Sequence, residues 1–197
     1  MQIDLDLLFS WGAVAKKYKK NELVFDDTEI AHFYYQIIDG SVRMYNSNEE
    51  GKEFTQGIFC KGSSFGEPPL FVDEIYPAKA ITLQDSTIIK LSRDKFLKIV
   101  EEYPAIQKSF LSLFAQRIHS KSNTFKEIIN QKPEFRIIAF LNTHKKKTET
   151  TADKALIPFT RQEIANFTGL RVETVIRVLC KMNTSNKVEI INHKIYY

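Results

Sequence analysis

Val172, Glu173, Ile176 and Arg177 recur at i, i+1, i+4 and i+5, which puts an acidic acceptor, a basic donor and two aliphatic groups on one face of a helix. Side chains grouped in this way are free to enter the major groove of DNA. The residues before them read as the device that would hold such a helix. Thr160 and Glu163 have the spacing of a capping box, and Gly169 has the freedom to take the positive φ of a tight turn between helices. Ala165 is small enough to sit where two helices touch. Val175 falls six residues after Gly169 on the inward face, where Ile164, Leu170, Val178 and Leu179 complete a shared core. Helical hairpins of ordinary globular domains use the same residue types, but the charge distribution separates the two readings. Residues 131–197 carry 12 Lys and Arg against 6 Asp and Glu, whereas residues 1–130 carry 16 against 18. The basic excess belongs to the C-terminal part, and its direct meaning is a polyanionic partner, because neutralised phosphates release condensed counterions.

The elements that position this helix are legible from turn residues and periodicity. Gly40, Gly51, Gly57, Gly62 and Gly66 lie within one stretch of 27 residues, among β-rich runs at 33–38 and 41–45, with further runs at 78–83 and 86–91. Short strands between frequent turns predict a small jelly roll of about eight strands. Residues 92–100 predict a short helix capped by Ser92. A long helix then begins at Pro104, with Ile106, Phe110, Leu111, Leu113, Phe114, Ile118, Phe125, Ile128 and Ile129 forming a stripe broader than one packing face requires. One edge is expected to pack on the roll and another on a second copy of itself, although a helix covering its own roll would also be apolar. Lys132-Pro133 ends it, so 130–133 reads as the joint between domains. The polar run 145–154 predicts an exposed loop. The chain closes with two strand-like segments around Asn192-His193, a hairpin that would form a wing beside the helical pair. The expected fold is α+β: an effector-sensing roll at 1–102, a dimerisation helix at 103–130 and a winged helix-turn-helix at 131–197.

This ordered series resembles the Crp/Fnr family of bacterial transcription regulators over nearly the whole chain. The motifs that carry the likeness are residues 62–71, Gly-Ser-Ser-Phe-Gly-Glu-Pro-Pro-Leu-Phe, the long helix, and 160–165 leading into 172–177. The resemblance implies a homodimer on double-stranded DNA with a two-fold symmetric operator, a small effector in the roll, and contact with RNA polymerase if the protein activates. It further implies that Arg177 donates to guanine O6 and N7 and that Glu173 accepts from a cytosine amine, which gives a TGA-like core in each half-site. Val172 and Thr174 accompany them, and Ile176 stands where the Fnr branch has Ser. Thr160, Arg161, Gln162 and Arg171 are expected to hold phosphate and fix register.

The roll departs from the cyclic-AMP branch. Gly66-Glu67 match its ribose-binding pair, but the Arg-Ser pair that clamps the cyclic phosphate falls on Tyr76-Pro77, leaving Lys79 as the nearby cation. An effector pocket, if retained, would be lined by Gly66, Glu67, Pro68, Tyr76, Pro77, Lys121 and Ser122, for an unknown ligand. The N-terminal cysteines of the Fnr branch are missing. For haem, only His32, His119 and Cys60 are available as axial ligands. No cofactor and no metal site are expected.

The remaining composition narrows the function classes. With 197 residues, 43% hydrophobic, the chain fills one large domain or two small ones. An acidic start, Met1-Gln2-Ile3-Asp4, and apolar runs shorter than the roughly 18 residues of a membrane span predict a soluble cytoplasmic protein. Cys60 and Cys180 are expected to be small buried or half-buried thiols. A cupin-type metalloenzyme would need several His and a Glu in the roll, which offers only His32, so an enzyme is not expected. A nucleotide-binding module without DNA function is the other alternative, and the helix-turn-helix motif weighs against it.

Overall fold

The computed structural model of the chain describes residues 1–129, 132–145 and 154–197, with the side chains of 124 and 126–129 left aside. Residues 130 and 131 of the expected joint, residues 146–153 of the expected loop, and the side chains of Ile128 and Ile129 lie outside the described residues. The chain divides into two compact units, one of residues 1–51 and 55–117, the other of 52–54 and 118–197.

In the first unit a short helix, α1 (Leu5–Ser10), is capped by the Asp4 carboxylate, which accepts from the amides of Asp6 and Leu7. Eight strands follow, interrupted by one five-residue helix: β1 (Val14–Tyr18), β2 (Leu23–Phe25), β3 (Phe33–Asp39), β4 (Ser41–Ser47), β5 (Glu53–Cys60), β6 (Ser64–Phe65), α2 (Pro68–Val72), β7 (Lys79–Thr82) and β8 (Ser86–Ser92). They form two four-stranded sheets in the orders β1-β8-β3-β6 and β2-β7-β4-β5. The central strand β3 pairs antiparallel with β8, Tyr35 opposite Lys90 and Ile37 opposite Ile88. Its run Tyr34-Tyr35-Gln36-Ile37 is buried throughout, as expected of a strand covered on both faces.

Two helices follow, the second of which continues past residue 117, where this unit ends. The first, α3 (Arg93–Glu102), starts after Ser92 as expected, but the Ser92 hydroxyl makes no capping bond. The second, α4 (Pro104–Ile129), is the predicted long helix. Its attachment to the roll is aromatic. Phe110 is buried, its ring edge-on to Phe96 at 5.3 Å and to Tyr34 at 6.1 Å, while Phe114 meets Phe71 edge-on at 5.5 Å. Such edge-to-face pairs contribute about 0.5–1.5 kcal/mol beyond burial of area.

The second unit contains α5 (Pro133–Lys145), β9 (Leu156–Ile157), α6 (Arg161–Thr168), α7 (Val172–Thr184), β10 (Glu189–Ile191) and β11 (Lys194–Tyr196). The strands form one antiparallel sheet in the order β10-β11-β9. Ile137, Leu141, Ile164, Val175, Leu179 and Ile195 meet in a core of their own. The capping box is formed at both ends: Thr160 Oγ1 accepts from the Glu163 amide at 3.1 Å, and Glu163 Oε2 accepts from the Thr160 amide at 2.7 Å. Thr160→Ala is therefore expected to cost about 1 kcal/mol of stability, whereas Ser92→Ala, which removes no capping bond, is expected to stay within about 0.5 kcal/mol of the parent. Urea unfolding of the two variants checks this contrast.

Candidate nucleic-acid interface

The geometry of the helical pair follows from one residue. Gly169 has φ 68° and ψ 17°, a left-handed conformation that ends α6 and turns the chain toward α7. A side chain there would carry the steric cost of that region, about 1–2 kcal/mol for an L residue. Arg171 then begins α7 with extended backbone and no capping bond from its own side chain. Val175, Leu179 and Met182 turn inward, while Arg171, Glu173, Ile176, Arg177, Cys180 and Lys181 are exposed. The exposed row from Glu173 through Arg177 continues one turn beyond the pattern of 172–177.

Val172 departs from expectation. It is half-buried against the core of its unit instead of sharing the outer face with Glu173 and Arg177. The reason is helical spacing: Val172 lies three residues before the buried Val175 and so shares its side. Thr174 is likewise half-buried.

Three residues expected at phosphates are tied to their own unit. The Thr160 hydroxyl belongs to the capping box, and Gln162 donates through Nε2 to Asn166 Oδ1 at 2.9 Å. Arg161 donates through Nη1 to the carbonyl of His193. That carbonyl lies in the two-residue turn between β10 and β11, where Asn192 and His193 both have positive φ, 47° and 63°. This is the backbone of a type I′ hairpin turn, whose twist suits the flanking strands. Arg161 thus braces the wing against the start of α6, a task that sequence spacing did not reveal. Two further cations of this unit are paired, Lys154 with Glu189 at 3.2 Å and Lys187 with Glu134 at 2.8 Å.

In the roll, three of the residues expected to line an effector pocket, Gly66, Glu67 and Tyr76, are buried against other groups of the same unit. Tyr76 is 1% exposed, its ring stacked on Phe25 at 3.8 Å and its hydroxyl donating to the Phe33 carbonyl. Burial pushes the pKa of this hydroxyl up to about 12. Gly66 adopts φ 72°, and a Cβ there would stand 2.9 Å from the Phe25 ring. Glu67 is fully buried, with Oε2 accepting from Arg117 Nη1 at 2.7 Å, while Arg117 Nη2 donates to the Ser64 carbonyl at 2.8 Å. Glu67 Oε1 and Ser64 Oγ have no hydrogen-bond partner. Pro68 and Pro77 are exposed, as are Lys121 and Ser122 on α4. The expectation of a lined pocket is therefore corrected at Tyr76 and Glu67: ring stacking fills the first position and an ion pair occupies the second. Lys79, the substitute cation for a phosphate, lies 3.3 Å from Asp26 and 3.7 Å from Asp27, and the Asp26 hydrogen bond and the two negative charges raise its pKa.

Arg117 was missed in the sequence, although a signal was present. It sits seven residues after Phe110 and three after Phe114, on the side of α4 that packs against the roll. The cation there is paired with a buried acid, the Glu of the Gly66-Glu67 pair. Cys60 and Cys180, expected buried or half-buried, are both exposed. His32 and His119 are exposed as well.

Comparison with known proteins agrees with this layout. A model described as a cyclic nucleotide-binding domain matches residues 15–103, and one described as a Crp-like helix-turn-helix domain matches residues 135–196. The transcriptional activatory protein AadR of Rhodopseudomonas palustris is 24% identical over 178 residues, which cover 89% of this chain and 73% of that protein. The cAMP-activated global transcriptional regulator CRP of Pasteurella multocida is 29% identical over 176 residues, 83% of this chain and 79% of that protein. Among solved structures, the c-di-GMP responsive global regulator CLP of Xanthomonas campestris superposes with a TM-score of 0.84 at 19% identity, over 96% of each chain.

The bond from Arg161 to the wing generates a test. Arg161→Ala is expected to speed amide exchange across residues 189–196 and to lower stability by about 1 kcal/mol, the scale of one exposed charge-assisted hydrogen bond. Hydrogen-exchange mass spectrometry without DNA reads the first effect, and an unchanged wing would return Arg161 to a purely phosphate-facing role.

Proposed function

We propose that this chain, which belongs to the Crp/Fnr family of DNA-binding transcription regulators, reads an inverted-repeat operator as a homodimer paired along α4, with α7 in the major groove. The observation that carries the reading is the outer face of α7, where Glu173 and Arg177 stand exposed one turn apart behind a capped and glycine-turned α6. Arg177 has the fork geometry to donate twice to guanine, and Glu173 accepts from cytosine on the same face. Arg171, at the start of α7, serves the backbone. A two-fold reader needs its two recognition helices about 34 Å apart. Leu111, Ile118 and Phe125 favour α4 as the pairing element: they recur every seven residues and are 71%, 66% and 63% exposed.

The chain is a regulator rather than an enzyme, organised as a roll at 1–102, a pairing helix at 103–130 and a reading domain at 131–197. Among the described residues no helix is long and apolar enough to cross a membrane. A place in the cytoplasm follows from the role itself, since that is where the DNA lies. RNA polymerase is the further partner if the protein activates.

Cyclic AMP is not its signal in this reading. Tyr76-Pro77 occupy the positions of the phosphate clamp, Lys79 is neutralised by two carboxylates, and Glu67 is already engaged by Arg117. A cyclic phosphate placed there would be desolvated without a charged partner, a cost of several kcal/mol. An effector of other chemistry, held by the roll, is the remaining form of control.

Two measurements test the proposal. Selection of binding sites from random DNA is expected to enrich an inverted repeat with a TGA-like core, and Arg177→Ala is expected to lose about 1–3 kcal/mol on that site while relaxing preference at one G·C pair per half-site. An enriched site without two-fold symmetry, or an unchanged preference in the variant, overturns the assignment of α7. Calorimetry with cyclic AMP and cyclic GMP is expected to give no binding at micromolar concentration, and micromolar affinity for either would show that the phosphate has found another cation.

A further inference from the structure

The outer stripe of α7 is not wholly polar. Glu173, Ile176, Arg177 and Cys180 recur at i, i+3, i+4 and i+7, and all four are exposed. Ile176 is 47% exposed, and among the described residues it is the one exposed large hydrophobic of this helix. Val172, the other aliphatic residue expected on this face, is half-buried against the core of its unit. Ile176 therefore offers an aliphatic surface of its own to whatever meets the stripe, between a carboxylate one turn before it and a guanidinium directly after it.

Helix stability does not account for an isoleucine here. A β-branched residue disfavours the helix relative to alanine, and an aliphatic group left in water gains nothing from burial. What it supplies is rigidity: in a helix isoleucine holds one strongly preferred χ1 rotamer, so little side-chain freedom is lost when it makes a contact. Isoleucine neither donates nor accepts a hydrogen bond. In the major groove guanine, cytosine and adenine present donors and acceptors, whereas thymine adds a C5-methyl group beside its O4 acceptor. An aliphatic side chain set against a polar base edge takes water from it and returns no hydrogen bond, which is unfavourable. Set against the methyl group, it buries apolar surface on both sides.

We infer that Ile176 seats against the C5-methyl group of one thymine in each half-site, and so specifies a T·A pair close to the G·C pair read by Arg177. This inference rests on the placement of α7 in the major groove proposed above. Along the helix Ile176 is offset from Arg177 by about 1.5 Å and from Glu173 by about 4.5 Å. Successive base pairs are about 3.4 Å apart, which keeps the thymine within about two base pairs of that G·C pair. Cytosine at the same place presents its N4 amine and no methyl, and the isoleucine would desolvate that amine without giving it an acceptor. Three chemistries then share one stripe: a fork of donors, a carboxylate acceptor and a rigid aliphatic surface.

Deoxyuridine differs from thymidine only by the missing C5-methyl group, and duplexes of the operator enriched from random DNA carry the test. Thymines are replaced one position at a time, in both half-sites together, and affinity for the full chain is measured. At one position within two base pairs of the Arg177 guanine the loss is expected to be about fourfold per half-site, the scale of one buried methyl group. Ile176→Ala is expected to bind the thymine and deoxyuridine duplexes alike while keeping the preference for the G·C pair. Alanine favours a helix at an exposed position, so the variant is expected to fold as the parent does, and the deoxyuridine series on the unmutated chain reads the contact without any variant. A selected site with no thymine in that span, a parent indifferent to deoxyuridine there, or an Ile176→Ala protein with the parent's penalty overturns the inference. If Arg177→Ala has lost its preference at the G·C pair, α7 still stands as the reader in each of those cases. An Arg177→Ala protein with unchanged preference overturns the placement of α7, and this inference with it.

Discussion

The carboxylate of Glu67 has no exposed surface, and a charge in that position is tolerable only beside an opposite one. Its partner comes from a distant part of the chain. Arg117 reaches it only if α4 lies along the roll at a single register, with Phe110 and Phe114 seated among Phe71, Phe96 and Tyr34. The aromatic contacts supply most of the attraction, because burial of apolar area contributes more than the ion pair and tolerates small shifts. The ion pair supplies the register. Removing one partner of a buried pair strands the other, at about 3–5 kcal/mol where both are fully enclosed. Because the Arg117 side chain is about a quarter exposed, the figure here lies toward the lower end.

The same pair explains why the interior of the roll differs from what its sequence motif implies. A Gly-Glu at the start of α2 resembles a site that holds a nucleotide sugar, yet the glutamate is bound by the chain's own guanidinium. Beside it, Phe25 and Tyr76 stack so closely that position 66 has no space for a Cβ. Glycine at 66 is therefore required twice, for its positive φ and for the ring that abuts it. The Gly66-Glu67 pair is thus a packing and pairing element of the roll.

Elements whose signal is local were legible in the sequence. The capping box at Thr160 and Glu163, the left-handed Gly169, the wing turn at Asn192-His193 and the start of α4 at Pro104 all depend on residues within a few positions of each other. The strands β3, β4, β7 and β8 announced themselves by apolar and β-branched runs. The short elements α1, β1, β2, β6, α2 and β9 did not, because two to six residues cannot display a period. Ser92 illustrates the opposite error: the residue type suits a cap, but a cap requires an orientation that spacing alone does not specify. Arg117, Arg161 and Tyr76 were misread or missed for one shared reason. Their partners lie more than 30 residues away, and for Arg161 and Tyr76 nothing in a local window distinguishes a side chain bound for solvent or ligand from one bound for its own fold.

That distinction matters most for the reading domain. A basic excess over residues 131–197 argues for a polyanionic partner, but it does not say which cations meet it. Arg161, Lys154 and Lys187 each have a partner within the chain. Arg161 and Lys154 are joined to the wing, and Lys187 to the start of α5. The outer face of α7, the proposed reader, is set by the core of Ile164, Val175 and Leu179 beneath it. Charge in this domain therefore serves two purposes that composition cannot separate. In the proposed reading, part of it attracts DNA without regard to sequence, and part of it builds the frame that carries Glu173 and Arg177.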